Sequence, residues 1–217
     1  MQVTRNYDVI IIGGGPAGIG AAIALSEFGV KNIIVLEKGS VAQSFTSWTK
    51  ETRLLSPSFT AHQFNLLDLN AITHDTSPGY SYGKEHPTGE DYATYLKDCV
   101  THFKINIDTT TEVISMQKEG GVFTISTKNG VTYTSRFVIS AIGEFSFPKA
   151  DSFPGSELSI HSSAIPSYEE LSGDDFIIIG GYESGIDAAI NLVKQNKKVT
   201  VIDTSSPWET KDSDPSN

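Results

Sequence analysis

The apolar and polar positions of the chain fall into two copies of one pattern. Val9-Ile10-Ile11-Ile12 and Ile33 to Leu36 are apolar at every position. Such runs predict parallel strands buried on both faces. Between them, Ile19 to Phe28 predicts a helix. Ala17, Ala21, Ala22 and Ala24 are small enough for close packing on a sheet, and Gly29 stops the helix just past its C-terminus. About 165 residues on, the pattern returns: a strand at Phe176 to Ile179, a helix at Ile186 to Gln195 and a strand at Val199 to Asp203. The repeat predicts two units of one architecture.

Between the copies, Thr88-Gly89-Glu90-Asp91 has the form of a capping box, with Asp in place of the usual Glu or Gln. It opens a helix from about Glu90 to Phe103, whose Tyr92, Tyr95, Leu96, Cys99, Val100 and Phe103 share one face. Cys99, on that face, is expected to be a buried core thiol. Ile105 to Ile107 reads as a short strand. Glu112 to Gln117, Val122 to Thr127 and Val131 to Ser135 read as a β-meander, turned at Gly120-Gly121 and Asn129-Gly130. A separate apolar strand follows at Phe137 to Ile142 and ends in Gly143. The stretch from Gly39 to about Pro87 has little periodicity beyond a short helix expected at Ser44 to Trp48. Its aromatics (Phe45, Trp48, Phe59, Phe64, Tyr80, Tyr82) argue against disorder and for a ligand lining.

The first strand–helix unit carries chemistry. Gly13, Gly15 and Gly18 form G-x-G-x-x-G between a strand and a helix, and Glu37 closes the second strand 19 residues after Gly18. Gly13 permits the sharp turn, Gly15 lets the backbone approach a pyrophosphate, and Gly18 lets helix and strand pack closely. Free N–H groups and the positive dipole end of the helix then face the phosphates. Glu37 can accept hydrogen bonds from ribose hydroxyls. An adenine dinucleotide fits; the glycine spacing alone does not distinguish FAD from NAD. The second turn, Gly180-Gly181-Tyr182-Glu183-Ser184-Gly185, keeps the outer glycines but has Tyr182 in the middle position. Asp203 follows Gly185 by 18 residues.

Composition narrows the class. The chain has 217 residues, 38% hydrophobic and 19% charged, with a net charge of −10. That charge opposes nucleic acid and anionic membrane surfaces as partners. No apolar run nears the roughly 18 residues of a membrane span, and no signal-peptide pattern opens the chain, so a cytoplasmic protein is expected. A single cysteine leaves no C-x-x-C pair. The five histidines show no metal or triad spacing, and no catalytic acid, base or nucleophile is assigned.

Taken together, the motifs resemble those of the flavin-containing monooxygenase-like family of two-dinucleotide flavoproteins, relatives of thioredoxin and glutathione reductases. The resemblance runs from about Tyr7 to Asp203. It rests on the first glycine turn with Glu37, on Phe45-x-x-Trp48, and on Arg53-Leu54-x-Ser56-Pro57-Ser58. Ala141-Ile142-Gly143 with Pro148, Phe153-Pro154-Gly155 with His161, and the second glycine turn complete it. It implies an α/β fold: a Rossmann-like FAD-binding domain (residues 1–150, parallel sheet plus antiparallel β-meander), a connection (151–173) and the start of a Rossmann-like NAD(P)-binding domain (174–203). Residues 204–217 are expected to be a disordered tail.

The resemblance implies that Gly13, Gly15, Pro16, Ala17 and Gly18 wrap the FAD pyrophosphate. Glu37 and Lys38 lie by the adenosine, the Val113 backbone meets the adenine, and Ala141 and Gly143 approach the cofactor. Ser44, Trp48, Arg53 and Ser56 lie toward the flavin. Trp48 either stacks on the isoalloxazine or packs in the protein, and Arg53 pairs with phosphate or joins a surface ion pair. NAD(P)H falls to Gly180, Gly181, Glu183, Ser184, Gly185 and Asp203, with the acid at Asp203 favouring NADH. The implied activity is oxygenation of a small nucleophilic substrate by reduced flavin. The alternatives are a thioredoxin-reductase-like disulfide reductase, or a truncated nucleotide-binding module without turnover.

Three departures from the family pattern stand out: Ile142 where Thr is usual, Gly155 and His161 six residues apart rather than four, and Tyr182. The family also continues through further strands and a segment returning to the first domain. The chain is therefore expected to be either truncated at the C-terminus or a minimal flavoprotein; truncation would leave an exposed sheet edge near Phe176 to Ile202, a surface for association, including an oligomer, or aggregation.

Overall fold

The computed structural model describes residues 4–58, 68–144, 148 and 153–205. The expected tail beyond Ser205 and the aromatics Phe59 and Phe64 of the expected ligand lining lie outside the described residues. The chain divides into two compact units, one of Met1–Ser47 and Arg53–Phe147, the other of Trp48–Thr52 and Pro148–Asn217. No helix among the described residues is long and apolar enough to cross a membrane.

In the first unit, β1 (Thr4–Ile12) leads into α1 (Pro16–Glu27) and β2 (Ile33–Leu36). Two short helices, α2 (Gln43–Thr46) and α3 (Pro78–Tyr82), precede the long α4 (Gly89–His102). Then come β3 (Ile107–Asp108), β4 (Val113–Glu119), β5 (Val122–Thr127) and β6 (Thr132–Ser140). The sheet order is β3-β2-β1-β6-β5-β4. β3, β2, β1 and β6 are parallel neighbours, and β6, β5 and β4 form the antiparallel meander.

Both faces of the parallel part are covered, which explains its unbroken apolar runs. Val9 and Ile11 pack with Ala22 of α1 and with Val35, while Ile10, Ile34 and Leu36 pack with Ile125 and Tyr133 on the other side. α4 places Tyr92, Tyr95, Leu96 and Cys99 against Ile19 and Ile23 of α1. Cys99 is a buried free thiol, and burial raises its pKa, so it is a core residue.

Several boundaries differ from the sequence expectation, for physical reasons. β1 begins at polar Thr4, because pairing with β6 from Thr4↔Thr132 onward supplies the ladder that hydrophobicity does not signal. The two strands expected at Val131 to Ser135 and Phe137 to Ile142 are the single strand β6. Its first half pairs with both β1 and β5, and the second half continues along β1, so Ser135-Arg136 carries no turn. α1 starts at Pro16 rather than Ile19, since Pro is preorganised for a first helical position. α3 was not expected. Ser77 caps it by accepting from the Tyr80 N–H, and the buried Asp68 carboxylate accepts from Ser77 Oγ at 2.6 Å.

In the second unit, β7 (Asp175–Ile179) and β8 (Lys198–Ile202) form a parallel pair with α5 (Glu183–Lys194) between them. Tyr168, Ala188 and Leu192 are buried with Phe176, Ile178 and Val199 against them. The opposite face of this pair presents Ile177, Ile179 and Ile202 to solvent. Trp48–Thr52 is tied into this unit by a dense set of bonds. Thr49 Oγ1 donates to the Ile165 carbonyl (2.9 Å) and the Lys50 N–H to the Pro166 carbonyl (2.9 Å). The Glu51 carboxylate accepts from Ser167 Oγ (2.5 Å) and the Tyr168 N–H (3.0 Å), and Thr52 Oγ1 donates to Asp187 (2.6 Å). Burial alone would raise the Glu51 carboxyl pKa, but the Ser167 and Tyr168 bonds outweigh it and hold it below the ordinary value.

The capping box on α4 is fully formed. The Asp91 N–H donates to Thr88 Oγ1 (3.0 Å), and the Thr88 N–H donates to the Asp91 carboxylate (2.9 Å), which also pairs with Lys84 (2.8 Å). Burial pushes the Asp91 pKa up, while Lys84 and Thr88 pull it down and prevail. Because the folded pKa is depressed, this contribution is present above the unfolded value near 3.8 and fades as pH falls through the folded one. Thr88→Ala is expected to cost about 1 kcal/mol in denaturant unfolding at neutral pH, and Thr88→Ser much less. Equal stability for all three proteins at pH 7 would refute the role of the cap.

Candidate functional site: the glycine turn and the strand-end carboxylate

The first glycine turn sits where β1, β2 and β6 end, and three of its glycines answer to three constraints. Gly13 has φ +114°, and a Cβ there would run into the Ala141 carbonyl. Gly18 has an ordinary helical backbone, but a Cβ there would strike the Gly13 carbonyl. Both are required by the fold. Gly15 is different. Its φ of −89° suits any residue, and a Cβ there would meet no atom within 4 Å. Nothing in the described protein asks for glycine at this position. A ligand that needs the backbone bare does ask for it, and a pyrophosphate lying against the helix start is such a ligand.

The surrounding residues hold the turn in place. The Gly13 N–H donates to the Leu36 carbonyl (2.9 Å) and the Ala141 N–H to the Ile12 carbonyl (2.8 Å). Glu37, 8% exposed, spans the turn: Oε2 accepts from the Gly14 N–H (2.6 Å) and Oε1 from the Gly39 N–H (2.8 Å). Each carboxylate oxygen keeps lone-pair capacity for a further donor, so the acid is both fixed and available to a ribose hydroxyl. Pro16 and Ala17 form the first turn of α1, whose N-cap, Gly15, makes no side-chain bond. The helix-start N–H groups and their positive dipole end therefore remain available to an anion.

The remaining candidate residues divide by location. Ala141 lies directly over Gly13, and Gly143 follows with φ +69°. Lys38 is exposed beside Glu37, and Val113 begins β4, half-buried against the core. Ser44 is exposed on α2, whose start is fixed to the turn because the Ala42 N–H donates to the Gly14 carbonyl (3.0 Å). Arg53 forms a bridge with Thr88, and the exposed Ser56 accepts from Asn70 through its carbonyl (2.8 Å), so these two belong to the α3–α4 region. Trp48 is half-buried and falls in the second unit. His161 caps a 3-10 turn, bonding to Ser163.

Sequence inspection missed Ala42 and Gly39 as supports of the turn. They act through backbone atoms, which leave no residue-type signal. In Ala42 even the conformation, φ 59° with the residue buried, is unsignalled.

The second turn repeats the first almost bond for bond. The Gly180 N–H donates to the Ile202 carbonyl (2.8 Å), and the Gly181 N–H donates to Asp203 Oδ2 (2.7 Å). A Cβ at Gly185 would strike the Gly180 carbonyl, and Gly180 has φ +105°. Tyr182, at φ −92° and ψ −167°, has the backbone of Gly15, at −89° and −173°. The glycines demanded by the fold are kept, and the one that the fold leaves unconstrained is replaced. With matching backbones, the Tyr182 side chain leaves along the direction that is open at Gly15; the residue is 55% exposed. Glu183 and Ser184 are exposed in the first turn of α5, so an acid also stands where the first unit has Pro16.

This doubled strand–turn–helix design agrees with comparison to known proteins. Residues 10–217 match the pyridine nucleotide-disulphide oxidoreductase family. The uncharacterized oxidoreductase CzcO of Bacillus velezensis is 31% identical over 196 residues, 87% of this chain and 52% of that protein. The structure of the bacillithiol disulfide reductase Bdr (YpdA) of Staphylococcus aureus superposes with a TM-score of 0.70 at 26% identity, covering 94% of this chain and 61% of that one. A flavin-containing monooxygenase from Stenotrophomonas maltophilia gives a TM-score of 0.76 at 21% identity, covering 94% and 59%, and shares the fold. The chain spans about half the length of the curated relatives it matches. By the match over residues 10–217, which include both glycine turns, the chain belongs to the pyridine nucleotide-disulphide oxidoreductase family.

Proposed function

We propose that the first unit holds FAD on the turn Gly13–Gly18 and that the protein is a flavin-dependent oxidoreductase reduced by NAD(P)H. In this reading it oxygenates a small nucleophilic substrate, as flavin-containing monooxygenases do. Gly15, a glycine with no structural need to be one, carries the reading. FAD, when bound, supplies the two-electron chemistry. The chain supplies position: Gly15 admits the pyrophosphate, the start of α1 offers N–H donors to it, and Glu37 accepts from the ribose. Cys99, buried on α4 with a raised pKa, has no part in electron transfer. A disulfide-reductase reading is favoured by the likeness to Bdr. Oxygen uptake coupled to substrate oxygenation, against NAD(P)H-dependent loss of a small disulfide, decides between the two.

Gly15→Ala tests the placement. The substitution meets open space and a permissive backbone, so it is expected to leave the fold intact and to change stability by about 1 kcal/mol or less. FAD content, read from visible absorbance and the released cofactor, is expected to fall at least tenfold. Normal flavin occupancy in a folded Gly15→Ala protein would sink the proposal.

In the second unit, Asp203 directly follows β8 and is held by the Gly181 and Ser205 N–H groups. An acid in that place favours a free ribose 2′-OH and repels a 2′-phosphate, so NADH is the proposed reductant. Tyr182 is proposed to limit its affinity. Tyr182→Gly is expected to tighten NADH binding by about tenfold, about 1.4 kcal/mol, in a fluorescence titration. Unchanged or weaker binding would show that Tyr182 does not obstruct the site.

A further inference from the structure

We propose that Glu27, His74 and Asp75 form a binding site for a divalent first-row transition ion, with Zn²⁺ the simplest occupant, at the far end of α1 from the glycine turn. One ligand atom from each of the three side chains can be chosen so that all lie within 4.8 Å of one another. His74 Nε2 stands 3.5 Å from Asp75 Oδ2. Ligands about 2.0–2.1 Å from a tetrahedral zinc lie roughly 3.4 Å apart, so this pair already has the spacing of one edge of the coordination shell. An imidazole with two carboxylates is a donor set suited to zinc and its neighbours, and the exposure of all three leaves room for water as the remaining ligand.

The backbone presents these side chains in a braced arrangement. The Ile72 N–H donates to the Tyr95 hydroxyl (2.8 Å), and Thr76 Oγ1 shares a hydrogen bond with the same hydroxyl (2.6 Å). The segment bearing His74 and Asp75 is thus pinned to α4 on both sides of the two ligands. It also runs close along α1. A Cβ at Gly20 would lie 3.4 Å from the Ile72 carbonyl, and Glu27 is seven residues, or two helical turns, beyond Gly20 on the same face. Glu27 is the last residue of α1, where the negative end of the helix dipole favours a cation. An ion here would clasp the 72–76 segment to the helix that begins at the dinucleotide turn.

The test is a titration of the chelator-treated, dialysed chain with Zn²⁺ by calorimetry, with Co²⁺ absorbance reporting coordination geometry. One equivalent is expected to bind, with a rise of several degrees in the thermal midpoint. His74→Ala and Glu27→Gln, both exposed and expected to fold, should each weaken binding at least tenfold. His161→Ala should leave it unchanged. Absence of one-to-one saturable uptake overturns the proposal. So does wild-type affinity in folded His74→Ala and Glu27→Gln, which would leave the 3.5 Å pair a simple ion pair.

Discussion

The first unit depends on how closely α1 approaches the end of β1. The Gly13 carbonyl lies where a side chain on Gly18 would have to be, and the Ala141 carbonyl lies where a side chain on Gly13 would have to be. Three backbone segments from β1, α1 and the end of β6 therefore meet with no side chain between them. This contact aims the start of α1 at open space over Gly15 and brings Glu37 across the turn to Gly14. A single larger residue at either contact would separate helix from sheet and lose both the packing and the site.

The second unit uses the same contact with a different outcome. Gly180 and Gly185 keep the approach, Asp203 repeats the bond made by Glu37, and α5 starts with the same backbone geometry. The architecture is thus independent of what fills the middle position of the turn. Tyr182 and Glu183 change the surface offered to a ligand while leaving the fold intact. The two turns separate, within one chain, the glycines that the packing requires from the one that it does not.

Much of this was legible in the residues themselves. Unbroken apolar runs locate β1, β2 and β7, the capping box locates α4, and Asn129-Gly130 locates a hairpin, because each depends on local backbone preference or on burial of the residue's own side chain. The glycine spacing locates the first turn for the same reason: Gly13 and Gly18 are positions where the packing admits no side chain. What remained hidden depended on partners far along the chain. The extension of β1 to Thr4 and the merging of β6 come from strand pairing. The support of the turn by Ala42 comes from a main-chain bond that any residue can make. The place of Trp48–Thr52 in the second unit comes from hydrogen-bond partners more than 110 residues away.

The sequence by itself determined the α/β class, the repeat of two strand–turn–helix units and the position of the glycine turns, since all follow from periodicity and from steric demands on glycine. Only the tertiary structure decided which glycines serve the fold and which one meets open space. It also decided that Tyr182 shares the backbone of Gly15, and that Glu27 stands beside His74 and Asp75. The physical reason is the same throughout: steric room and side-chain convergence belong to the space between elements, and that space exists only once the elements have packed.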